Sequence, residues 1–329
     1  MLAYLVRRLL TTILLVVAVS SAAFIITRLG AGHAIVIELG LRLDQKEIQR
    51  RMHELKLDQP ILSQWGSWLA GLTRLDLGTS VYYNSPVAPI VGDRARNTAL
   101  LATIAFLTAL LIGIPPAFVV ASRPGSIAAR VIRATSLFML SLPSFVTSLA
   151  LVMFAARTGW LPAGGLTSSV AGMTFSERAI DVIWHLPLPV LALALPLAAT
   201  FERLQTQALA DALAQPSVRA ARARGIPARR IVWRHAGRLA IKSVAGVGGL
   251  AFGALLSGSF AVEAVTAWPG LGRLTIEALR YRDLYLVAGC AAAGTTVLAL
   301  GLLIADLVIA WSDPRVRDEL AGNRVEVPA

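Results

Sequence analysis

The chain has 329 residues, of which 56% are hydrophobic and 15% charged. A soluble domain carries roughly 25% charged residues, so this composition, with a mean hydropathy of +0.67, excludes an ordinary soluble protein and points to several membrane spans. The net charge of +12 raises nucleic acid as a partner, and its distribution along the chain, taken up below, argues against one.

Leu9 to Thr27 is an uncharged run of 19 residues behind Arg7-Arg8. Signal-peptide cores are shorter, about 7–15 residues, so the run predicts a retained first transmembrane helix within residues 1–28. Residues 29–97 are polar and mixed in charge and predict a helical layer outside the bilayer. In it, Asp44 and Glu47 have capping-box spacing, and Ile48, Met52 and Leu55 share one helical face. Ile61, Leu62, Trp65, Trp68, Leu69 and Leu72 form a second apolar face, with the tryptophans expected at headgroup level.

Five further spans are predicted within residues 98–312: Thr98–Ser122, Ala134–Ala156, Trp184–Phe201, Ser243–Val262 and Leu284–Ala305. Thr98–Ser122 and Ala134–Ala156 are uncharged and easily long enough to cross about 30 Å of hydrocarbon. The third contains Pro187, Pro189 and Pro196, so a kink is expected there. The fold class is therefore all-α, a polytopic membrane protein with six transmembrane helices.

Cations set the orientation. Segments 1–8, 121–134, 202–242 and 312–329 together carry +11, and the segments on the opposite side carry +2. Both termini are expected to be cytoplasmic, with residues 202–242 a cytoplasmic loop and 313–329 a cytoplasmic tail. The basic excess then reports topology and lipid contact, and no nucleic acid is expected as a partner.

Within the cytoplasmic loop, Gln215 to Gly225 reads as a helix of about two turns between breakers. Ser217 suits a helix start and Pro216 fits the same region. Ala220, Ala221 and Ala223 favour the helix, Gly225 closes it and Pro227 forbids continuation. An isolated helix this short is marginal in water, so something must hold it, and a partner protein is expected to. After it, Ala228–Leu239 predicts an amphipathic helix with Arg230, Arg234 and Arg238 on one face, suited to anionic headgroups.

Signs of chemistry are few. Cys290, the single cysteine, lies in an apolar run and reads as a buried thiol. The four histidines are scattered, which leaves no metal-ligand spacing. Ser257-Gly258 has Leu255 where an intramembrane serine protease would want glycine, and no histidine follows in a later span. Asp306 is read as an acid reaching the interface. With no phosphate-binding loop, ATP would have to be bound by another chain. Ala245, Gly249, Gly253, Ser257 and Ala261 recur every four residues and predict a close helix-packing stripe.

Many short motifs in order resemble the permease subunits of bacterial ABC importers for dipeptides, oligopeptides, nickel and related solutes. They begin with Tyr4-Leu5-Val6-Arg7-Arg8-Leu9-Leu10, Leu57-Asp58-Gln59-Pro60 and Asp76-Leu77-Gly78-Thr79-Ser80. Leu142-Pro143-Ser144-Phe145, Gly159-Trp160-Leu161-Pro162 and Arg219-Ala220-Ala221-Arg222-Ala223-Arg224-Gly225 follow. The last are Arg234-His235-Ala236, Trp268-Pro269-Gly270-Leu271-Gly272-Arg273, Arg282-Asp283 and Asp313-Pro314-Arg315. The chain departs from the pattern at Ser217, where Tyr is usual, at Leu239 and Ser243, and at Ala31-Gly32-His33-Ala34.

The resemblance implies a type I ABC importer permease fold in the bacterial inner membrane. It implies a second homologous permease, two ATPase subunits that bind ATP and Mg, and a periplasmic solute-binding protein, with membrane lipid around the spans. The segment Ser217, Val218, Arg219, Ala220, Ala221, Arg222, Arg224 and Gly225 would be the coupling helix that enters the ATPase, with Arg219 in the place of the broader family's Glu. No catalytic, cofactor or metal site is implied in this chain. An ion-coupled carrier and a non-transporting membrane scaffold are the readings that compete with it.

Overall fold

The computed structural model describes residues 2–40, 59–168 and 172–312, with the side chains of residues 2–5, 30–40, Ala245 and 308–312 outside that description. The expectations for Asp44, Glu47, Ile48, Met52, Leu55, Leu57-Asp58 and Asp313-Pro314-Arg315 also fall outside it. The described elements are α1 (Leu2–Gly40), α2 (Ile61–Leu72), a two-residue antiparallel pair β1 (Thr79–Ser80) and β2 (Ser85–Pro86), α3 (Val87–Ser122), α4 (Ile127–Ser141) and α5 (Ser144–Thr158). There follow α6 (Phe175–His185), α7 (Pro187–Leu213), α8 (Pro216–Ala223), α9 (Ala228–Arg230), a π-helical segment (Ile231–Ala236), α10 (Gly237–Val265), α11 (Leu271–Arg280) and α12 (Leu284–Ser312). Contacts divide the chain into a smaller unit, residues 6–98 and 269–299, and a larger one, residues 1–5, 99–268 and 300–329.

Among the described residues, five helical stretches are long and apolar enough to cross a membrane: Val6–Leu29, Val87–Ser122, Phe175–Leu213, Gly246–Val265 and Leu284–Leu307. A sixth is available if α4 and α5 count as one span. These two are bent by 101° and replace the straight helix expected over Ala134–Ala156. Pro143 is the reason. It lacks an N–H and pushes the preceding residue out of helical geometry, and Leu142 is accordingly extended, with φ −97° and ψ 116°. Ser126 starts α4 by accepting from the Ala129 N–H at 3.1 Å.

In the smaller unit, α2 turns its tryptophans inward. Trp68 is buried and stacks on Phe24 with ring centroids 5.5 Å apart, and the Trp65 indole N–H donates to Ser21 Oγ at 2.9 Å. The two tryptophans expected at headgroup level thus pack on α1, while Leu62 of the same face is exposed. A second cluster gathers Val87, Val91, Leu271, Leu274, Ala278, Leu286 and Val287 around Cys290, which is buried as its apolar run suggests. Thr98 Oγ1 accepts from the Leu271 N–H at 2.8 Å and so serves the first turn of α11, which has no side-chain cap of its own.

The larger unit is built around α7, whose buried residues run from Leu188 to Ala212. Its helix continues to Leu213, well past the end expected at Phe201. Leu204, Ala208, Leu209 and Ala212 keep an apolar spacing after the first charges appear, which is why it does not stop. Where α3 crosses α7, a Cβ on Gly113 would lie 2.4 Å from the Ala198 carbonyl oxygen, so the crossing needs glycine. Ala117, Phe118, Leu209, Ala212, Val232, Ala236 and Ala240 form the cluster at the other end.

Candidate functional site

The segment after α7 is positioned by backbone chemistry. Gln215 is extended, with φ −64° and ψ 146°, and is the N-cap of α8, without a side-chain cap bond. Pro216 holds the first helical position, since its fixed φ suits a helix start and its missing N–H costs nothing there. Ser217 lies inside the helix, one residue past the first turn's start, and is exposed. This corrects its expected capping role, and the reason is that the rigid proline sets the boundary ahead of it.

The C-terminal end closes as a Schellman motif. The Gly225 N–H donates to the Arg222 carbonyl at 3.0 Å and the Ile226 N–H to the Ala221 carbonyl at 3.3 Å. Gly225 has φ +74°, a left-handed conformation that glycine adopts without the clash a Cβ would cause. Two of the family-type residues face inward: Val218 and Ala221 are 2% and 1% exposed. Ser217, Arg219, Ala220, Arg222, Arg224 and Gly225 are all exposed. The short helix is therefore seated by one apolar edge of its own and presents a polar, basic edge outward.

From Ala228 the backbone is helical without interruption to Val265, through α9, the π segment and α10. The separate amphipathic helix expected over Ala228–Leu239 is the first part of this longer helix. Ile231, Val232, Ala236 and Ala240 are buried, whereas Arg230, Arg234 and Arg238 are exposed. Phe118 stacks on Trp233 with centroids 4.3 Å apart and planes 11° from parallel, which fixes the π segment against α3.

The small-residue stripe of α10 is not uniform. Gly249 is buried, and a Cβ there would meet Ala305 at 3.3 Å and Leu302 at 3.4 Å, so its partner is α12 of the same chain. Gly253 and Ala261 are half-buried and Ser257 is exposed. Ala245 has its side chain outside the described residues.

A feature the sequence reading missed lies on α7. Glu202, placed among the loop acids by sequence, is inside the helix and 3% exposed. Its Oε1 accepts from Thr206 Oγ1 at 2.8 Å, and its Oε2 has no hydrogen-bond partner. Gln205 beside it is fully buried with both amide atoms unbonded. Glu202 lines a cavity of about 200 Å³ between α3, α4 and α7. The signal in the sequence was the continuing apolar period beyond it.

Comparison with known proteins follows this architecture. Residues 109–318 match the family described as binding-protein-dependent transport system inner membrane component, and residues 1–106 match its N-terminal companion. The chain is 30% identical over 318 residues to the oligopeptide transport system permease protein AppB of Bacillus subtilis, covering 96% of this chain and 99% of that one. It is 31% identical over 322 residues to OppB of Mycobacterium bovis, covering 95% and 98%. A putative peptide transport system permease protein of Brucella abortus is 31% identical over 324 residues, covering 96% and 99%. With matched regions that together take in nearly every described helix, and relatives aligned from end to end, the chain belongs to the family of inner membrane components of binding-protein-dependent ABC transport systems.

Proposed function

We propose that this chain forms half of the translocation path for a peptide or similar small polar solute, with both termini in the cytoplasm. A second homologous permease supplies the other half, a periplasmic binding protein delivers the solute, and two ATPase subunits bind ATP and Mg. The peptide class is drawn from the printed names of the relatives. One observation carries the coupling role: α8 is capped at its C-terminal end, held by Val218 and Ala221, and open along Ser217, Arg219, Ala220, Arg222 and Arg224. A helix with one edge seated and the other exposed suits insertion into a cleft of a soluble partner. Closure of the ATPases would then shift α8 and, through the continuous helix from Ala228 to Val265, tilt a span.

The test is ATP hydrolysis by the purified complex in lipid, with and without solute-loaded binding protein. Ala220→Glu places a longer charged side chain on the exposed edge without disturbing the seat. It should abolish stimulation while the chain still reaches the membrane. Arg230→Gln removes one cation from the neighbouring stripe, worth about 1 kcal/mol of lipid attraction, and should leave stimulation intact. Stimulation at the wild-type level in Ala220→Glu refutes docking through α8.

A further inference from the structure

We infer that the cavity at Glu202 binds an organic ammonium ion, a cationic nitrogen on an apolar body. The inference does not depend on the coupling role of α8 or on the solute being a peptide. Its polar lining supplies acceptors and no cation. The Glu202 carboxylate is almost wholly buried, and its Oε2 lacks any hydrogen-bond partner. A buried carboxylate oxygen in that condition is costly unless a donor reaches it. The facing α3 contributes a second acceptor. Pro116 lines the cavity and has no N–H, so the carbonyl of Ile112, a lining residue four positions earlier, loses its i+4 helical donor. Thr135 and Ser136 of α4 add hydroxyls. The remaining wall is aliphatic, with Met139 among its side chains. A lone anion would find no donor of matching charge in this set, and a neutral apolar molecule would leave the carboxylate unpaired. An ammonium with a short hydrocarbon tail meets both demands.

Such a nitrogen has two sources, a free amine or the ethanolamine headgroup of a lipid, and the experiment separates them. The full chain carrying Met139→Cys is reconstituted in nanodiscs of phosphatidylglycerol alone or with phosphatidylethanolamine. Modification of the introduced thiol by methyl methanethiosulfonate is timed with n-hexylammonium or with hexanol. Hexylammonium should protect at concentrations about tenfold lower than hexanol, as expected for a charge-assisted hydrogen bond, and adding Glu202→Gln should erase that difference. Protection by hexylammonium in both lipids identifies a free amine as occupant. A thiol already slow to react in ethanolamine discs, with hexylammonium effective only in the others, identifies the headgroup. Equal protection by hexylammonium and hexanol overturns the proposal, as does absence of protection by hexylammonium in the discs of phosphatidylglycerol alone. Because that comparison is made with Glu202 intact, it decides the matter even if Glu202→Gln does not fold.

Discussion

Ser80 and Asp283 are 203 positions apart and joined by a hydrogen bond, the hydroxyl donating to the carboxylate at 2.5 Å. Asp283 is fully buried, and it also accepts from the Tyr82 N–H at 3.1 Å and, as the cap of α12, from the Leu286 N–H at 3.1 Å. One carboxylate thus ties the β1–β2 hairpin to the start of a membrane-crossing helix. Asp283→Ala orphans three donors and should cost about 3 kcal/mol or more. Ser80→Ala removes the bond to Asp283 and the one the hydroxyl accepts from the Tyr83 N–H at 3.0 Å, orphans a single donor, and should cost about 1–3 kcal/mol. Thermal unfolding of the detergent-solubilised protein checks the order, and equal midpoints for the two variants would contradict it.

The α3–α7 crossing gives a paired glycine test. Gly113→Ala sets a methyl 2.4 Å from the Ala198 carbonyl oxygen, a backbone atom that cannot swing aside. A loss of about 1–3 kcal/mol is expected from the overpacking. Gly246 has nothing within 4 Å of its missing Cβ, so Gly246→Ala should gain up to about 1 kcal/mol of helix propensity. Fluorescence-detected size-exclusion after graded heating would show the two variants moving in opposite directions.

Tyr83 donates to Glu277 Oε2 at 2.9 Å. Burial, then that hydrogen bond and the carboxylate's charge, pushes its phenol up to about 12. A raised pKa in the folded state means stability held in full below the ordinary value near 10 and lost as pH climbs toward 12. Ultraviolet titration should find tyrosine ionising late in the folded protein, and Tyr83→Phe should lower the amplitude of that late step. The same variant should flatten the decline in unfolding temperature between pH 10 and 12.

Orientation is open to chemical labelling. Gly125→Cys and Ala214→Cys fall in segments expected from their charge to be cytoplasmic, and Thr73→Cys falls in the segment expected outside; all three positions are exposed. In intact cells an impermeant maleimide should react only with the thiol from Thr73→Cys. The native Cys290 is buried and should stay silent. Reaction at position 214 from outside would invert the topology.

Much of this architecture was legible in the residues because it rests on local rules. The breakers around α8 put its end at Gly225, and the spacing of Arg230, Arg234 and Arg238 marks an exposed face opposite Ile231 and Val232, although Trp233 beside them is exposed as well. Hydropathy alone hid the bend at Pro143, since an apolar run counts the same whether straight or broken; the Leu-Pro pair itself held the clue. Hydropathy ends the span at the first charge and so puts Glu202 in a loop, whereas the apolar spacing beyond it continues the helix to Leu213. The Ser80–Asp283 bond and the stacking of Trp68 on Phe24 are tertiary, and nothing in one linear sequence specifies which distant groups meet.

The π segment makes chain length itself a structural variable. Each residue of an α-helix advances the facing direction by about 100°, and Ile231–Ala236 takes up its phase with wider i→i+5 turns. If one residue were deleted there and α10 kept its place, the start of the helix at Ala228–Arg230 would swing by about a quarter turn. Arg230 would then leave the side it shares with Arg238, and α8 would be carried to a different bearing on the span. The angle between the basic edge and the membrane-crossing rod is thus stored as a residue count, so a frame-preserving deletion in this hexapeptide should uncouple the two even if every remaining side chain is unchanged.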